Sequence, residues 1–109
     1  MTMTARDEID VLFQQGNRVT KNALAILAGR TPQARGQDGR VLFVAGKKLG
    51  NAVVRNRSKR VLRETTRRVG GPWPGWDVAL IARAVTRSAT PEDLDAALRA
   101  ALRAAGIVG

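Results

Sequence analysis

Residues 46–69 read GKKLGNAVVRNRSKRVLRETTRRV, and this stretch decides the fold. At about 100° per residue, Val54, Ser58, Val61, Leu62 and Thr65 fall within about 100° of one another, the narrow stripe of a helix lying on a core. A helix is expected over 51–69. Its remaining surface is basic: Arg55, Lys59 and Arg63 form one row, Asn56, Arg60 and Arg67 lie beside them, and Arg57 and Arg68 close the far flank. From Lys47 to Arg68 nine cations are opposed only by Glu64, a net +8 within 22 residues. Like charges at this density repel one another unless a polyanion lies against them.

Upstream of the helix, RVLFVAG (40–46) is β-branched and aromatic and reads as a strand. Before it, GRTPQARGQDG (29–39) collects turn residues with almost nothing to bury, a loop between strands. The apolar run NALAILA, within 19–28, reads as another strand, with a shorter one near Arg18 to Thr20. At the start, Thr4 stands three residues before Asp7, and Ala5, Ile9, Leu12 and Phe13 recur at helical spacing until Gly16, which predicts a first helix over 4–15. Downstream, GGPWPG (70–75) breaks the basic helix and sets Trp73 and Trp76 to plug one end of the core, before DVALIAR resumes as a strand. Thr90-Pro91-Glu92-Asp93 then opens a helix whose Leu94, Ala97, Leu98, Ala101, Leu102 and Ala105 share one face, ended by Gly106. The order is helix, three strands, basic helix, strand, helix, and nothing divides it. It reads as one α+β domain over 1–109.

Composition narrows the function classes. The chain has 109 residues, 19 Lys plus Arg against 9 Asp plus Glu, and 44% apolar residues, so it is expected to fold, and to fold as a polycation. With no Cys and no His it has no thiol nucleophile, no disulfide, and neither the commonest metal ligand nor the commonest general base. Asp7, Glu92 and Asp93 have capping explanations, and no carboxylate cluster stands apart from them, so no catalytic residue and no metal site are expected in the protein. No apolar run approaches the roughly 20 residues that span a bilayer, and MTMTARDEID lacks the order of a signal peptide. A cytoplasmic protein with a polyanionic partner is the expectation.

The run GKKLGNAVVRNRSKRVLRE resembles the signature of the bacterial ribonuclease P protein component, whose hallmark Arg-Asn-Arg triplet is Arg55, Asn56 and Arg57 here. The likeness extends to Arg6 through Phe13 with Gly16 and Arg18, to GWDVALIAR, and to the capped final helix. The resemblance implies helices packed on a four-stranded sheet, with the basic helix joining two parallel strands by a left-handed crossover where general rules favour the right-handed one. It also implies a partner, a catalytic RNA, with which the protein removes the 5′ leader of precursor tRNA. The RNA carries the chemistry, so the protein alone is not expected to cleave, and magnesium is expected with the RNA. No membrane and no obligate protein partner are called for. Departures are visible as well: Ile9, Leu24 and Leu27 stand where the family often has aromatic residues, and Gly46 where it usually has Ser.

The expected RNA-binding residues are Lys47, Lys48, Arg55, Asn56, Arg57, Lys59, Arg60, Arg63 and Arg67. The lysine pair sits where the loop entering the helix offers backbone donors and the positive end of the dipole to phosphate. Phe13 and Arg18 are the candidates for a leader-binding cleft, Phe13 being equally at home in a core. Arg18 and Arg83, at strand ends, either extend the basic patch or pair with Asp77 or Glu64. Two other classes remain: a ribosomal or general RNA-binding protein, and a binder of anionic membranes or acidic proteins. The latter is disfavoured because the core needs the helix's apolar stripe.

Overall fold

The computed structural model describes residues 16–31, 36 and 38–107; the helix expected over 4–15, and Phe13 with it, lies outside the described residues. Four strands, β1 (Asn17–Thr20), β2 (Leu24–Arg30), β3 (Val41–Val44) and β4 (Trp76–Ala82), form one sheet in the order β1-β2-β4-β3. The pairs β1–β2 and β2–β4 are antiparallel, while β3 and β4 are parallel neighbours joined through α1 (Ala52–Val69). A second helix, α2 (Pro91–Ala104), follows β4. This is the α+β arrangement that the resemblance implies, with the basic helix as the crossover between the two parallel strands.

The shorter strand expected near Arg18 to Thr20 is β1, and the apolar run expected as a strand within 19–28 is β2, which starts only at Leu24. Lys21, Asn22 and Ala23 turn the chain, with Lys21 N–H donating to Leu24 C=O at 2.9 Å, and β2 runs on through Gly29 and Arg30 into the expected loop. The extension has a partner in β4, where Gly29 pairs with Asp77 and Arg30 with Trp76. A short 3-10 turn, Ala84–Arg87, was not foreseen. It presents Thr86, which is buried, and whose hydroxyl donates to Ala23 C=O and accepts from Arg83 N–H.

Strand alternation sorts the sheet into two faces. On one, Leu24, Ile26, Ala28, Val78, Leu80 and Ala82 meet Leu62 of α1 and Leu94, Leu98, Ala101 and Leu102 of α2 in the main core. On the other, Leu27 and Ala79 are buried with Leu42, Val44 and Ile81 partly buried around them. Both helix ends behave as expected from their residues. Thr90 and Asp93 exchange hydrogen bonds in a capping box at the start of α2. At its end Gly106 takes a φ of 80°, and Gly106 and Ile107 donate to Arg103 and Leu102, closing the last turn.

Trp73 is buried in the core and Trp76 is half-buried with Arg30 over its ring at 4.4 Å, so both plug the sheet end as expected. Gly39 passes directly beside them. A methyl group there would collide with the backbone carbonyl oxygens of Trp73 and Trp76, which cannot swing aside as a side chain can. Gly39→Ala should therefore destabilise the fold by about 1–3 kcal/mol or more. Urea denaturation checks it, and an unchanged midpoint would show that this end of the sheet has slack.

Candidate nucleic-acid interface

The interface is built on α1, and its local sequence explains the geometry. The 3-10 turn Lys47–Leu49 leads to Gly50, whose φ of 141° lets the chain swing into the helix start. Asn51 caps α1, its side chain accepting from Val54 N–H at 3.0 Å. No acid occupies the first turn, so the positive end of the helix and the exposed Lys47 and Lys48 reinforce one another. Ser58, Leu62, Thr65 and Thr66 are buried, with Val54 and Val61 half-buried beside them, so the expected stripe is the buried one, widened by Thr66. The three hydroxyls are satisfied within the helix, donating to the carbonyls of Val54, Val61 and Leu62 four residues back.

Of the expected contacts, Asn56, Arg57, Arg60, Arg63 and Arg67 are exposed along this helix. Arg55 and Lys59, which share a row with Arg63, are half-buried. Long cationic side chains lay their methylenes against apolar surface, and Arg55 is held closely enough that its Nε is a buried donor with no partner among the described residues. Arg68 has a different task. Its Nε lies 2.9 and 3.1 Å from the two carboxylate oxygens of Asp95, and its Nη2 reaches Asp95 and the Thr65 hydroxyl, fastening α1 to α2. A pair this exposed contributes at most about 1 kcal/mol, but it removes one guanidinium from the surface offered to a partner.

Arg18 is exposed on β1 and is not brought to this cluster. It lies opposite Leu27 in a row that continues across the sheet to Ala79 and Leu42, on the face away from α1 and α2. Leu27 shares that face, whereas Leu24 belongs to the main core. Neither anticipated ion pair forms at Arg83: its guanidinium holds the carbonyls of Lys21 and Asn22, closing the β1–β2 turn. Asp77 is buried and accepts from the Thr31 hydroxyl and from Arg40 N–H, both at 3.2 Å. One residue escaped the sequence reading. Val53, 69% exposed, borders a shallow concavity with Asn56, Arg57 and Arg60. The signal was present in the i, i+3, i+4, i+7 spacing, on the face opposite the core stripe.

Among the described residues no group of three or more carboxylates comes together, and Asp77, Asp93 and Asp95 are each engaged in the contacts above. These residues do not fit a metal site. What the geometry presents is a cationic helix about 27 Å long, braced from behind by a core and fed at its start by a lysine pair. The family model for ribonuclease P matches residues 1–106, nearly the whole chain. The chain belongs to the ribonuclease P protein family.

Individual relatives agree. The chain is 46% identical over 110 residues to the ribonuclease P protein component of Gluconacetobacter diazotrophicus, covering 95% of this chain and 90% of that one. It is 31% identical to that of Brevibacillus brevis, covering 94% and 80%. In structure it superposes on the RNase P protein of Staphylococcus aureus with a TM-score of 0.78 at 22% identity, covering 98% of this chain and 96% of that one. On that of Thermotoga maritima the TM-score is 0.74 at 21% identity, covering 100% and 98%; these likenesses bear on the fold. The chain is thus the protein subunit of the ribonuclease P ribonucleoprotein, the holoenzyme that processes the 5′ leader of tRNA.

Proposed function

We propose that α1 and the preceding lysine pair bind the catalytic RNA directly, through Lys47, Lys48, Asn56, Arg57, Arg60, Arg63 and Arg67, with Arg55 and Lys59 at the edge of the contact. The observation that carries this is the unbalanced charge of one exposed helix: Glu64 is its only acid, and Arg68 is the one arginine of the helix seen in an ion pair among the described residues. Guanidinium forks suit bidentate phosphate contacts, and lysines at a helix start suit single phosphates. The RNA supplies the hydrolytic chemistry and holds the magnesium, because this chain has no His, no Cys and no convergent carboxylates among the described residues. The chain's part is to bind and position RNA, and its place of work is the cytoplasm. No helix among the described residues is long and apolar enough to cross a membrane.

We assign the leader of precursor tRNA to the sheet face carrying the exposed Arg18, away from α1, where Leu42, Val44 and Ile81 are half-buried around the buried Leu27 and Ala79. With aliphatic rather than aromatic side chains there, each base gains less than the about 1–3 kcal/mol of full stacking, and backbone charge carries more of the affinity. Shortening the leader from about eight nucleotides to one should therefore weaken precursor binding to the assembled holoenzyme, whereas changing its bases should matter little. Affinity that ignores leader length, or follows base identity more than length, removes the leader from this face.

A further inference from the structure

We propose that the open cleft between β3 and the C-terminal half of α1 is a binding site for a single unstacked nucleotide, base and phosphate together. The cleft has a volume of about 480 Å³, within the range of small-molecule pockets. Three features of its walls point to this ligand.

The first is a stacking platform. The Arg63 guanidinium lies over the Phe43 ring at 5.3 Å, so the aromatic face holds this planar cation in place while the arginine's other side remains exposed. A base can lie on that outer side, because guanidinium planes stack unpaired bases as aromatic rings do. The second is a backbone edge. Strand β3 is at the border of the sheet, and Val78 N–H donates to Arg40 C=O at 2.9 Å. Alternation along the strand then directs the N–H and C=O groups of Val41 and Phe43 outward, where they can meet the hydrogen-bonding edge of a base. The third is charge: Arg67, one turn beyond Arg63, and Arg40 also line the cleft, and no acid does among the described residues. The opposite rim is firm, since Gly71 packs so closely on Thr66 and Trp73 that no side chain fits there.

The same chemistry serves two sources, an unstacked nucleotide of a bound RNA or a free nucleotide. The proposal deepens the RNA-binding reading above, but its first test needs no RNA, so the two can fail separately. AMP, adenosine and inorganic phosphate are titrated into the full chain, following backbone amide resonances by NMR. AMP should shift Val41, Phe43 and Gly71 and bind about tenfold more tightly than adenosine or phosphate alone. Arg63→Lys keeps the charge and removes the plane, so it should weaken AMP about tenfold and leave phosphate affinity nearly unchanged. Phe43→Leu, which preserves an apolar strand residue, should weaken AMP in the same direction. Equal affinity for phosphate and AMP, shifts spread evenly along α1, or an Arg63→Lys variant that binds AMP normally would each overturn the proposal. Repeating the AMP titration with the catalytic RNA bound separates the sources. Loss of the AMP response places an RNA nucleotide in the cleft, and its persistence assigns the cleft to free nucleotide.

Discussion

Raising the salt concentration from about 0.05 to about 0.2 M should weaken binding of the catalytic RNA on the order of 10²–10³-fold. The estimate follows from the exposed cations of α1 and the lysine pair, which can neutralise on the order of five phosphates, each adding about 0.9 to the slope of log affinity against log salt. A slope near −4 to −5 in a fluorescence anisotropy titration is the expected result. A flat plot would mean that apolar contacts recognise the RNA and that the charge on α1 is incidental.

Replacing Arg57 and Arg60 together by alanine should lower affinity for the catalytic RNA by about 30–100-fold and reduce the salt slope by about two, one phosphate contact for each side chain. Both residues are exposed and belong to none of the core contacts, so the thermal transition should stay near that of the parent chain. Arg55 is a poorer target because its half-buried side chain would confound folding with binding. Arg68→Ala is the control for each single substitution: it removes one charge from the same helix, as Arg57→Ala or Arg60→Ala does, but from the pair with Asp95, and should alter stability slightly and RNA affinity much less. If Arg68→Ala weakens RNA binding as much as Arg57→Ala or Arg60→Ala alone, net charge rather than the surface of α1 determines affinity.

The legible part of this molecule was what local periodicity and capping chemistry control. Val54, Ser58, Val61, Leu62 and Thr65 announced the buried side of α1 because a helix repeats every 3.6 residues, and Thr90 to Asp93 announced α2 because a capping box is local. The β1–β2 turn was harder to place, since Lys21-Asn22-Ala23 has neither Gly nor Pro and is closed by Arg83, more than 60 residues away. Distance along the chain hid the pairing of Arg68 with Asp95 in the same way. Half-burial of Arg55 and Lys59 was unreadable because a basic side chain can cover apolar surface with its stem and still count as charge. The cleft at β3 joins residues from two elements, and only the packing of α1 on the sheet sets Arg63 over Phe43.

The central claim is that this chain enables cleavage by RNA without performing it, and reconstitution tests it most directly. Catalytic ribonuclease P RNA and precursor tRNA are incubated at low magnesium with and without the purified protein, alongside the protein and precursor tRNA alone. Removal of the leader only when both RNA and protein are present is the predicted result. Cleavage by the protein in nuclease-controlled, RNA-free preparations, or cleavage by the RNA that is indifferent to the protein, would contradict it.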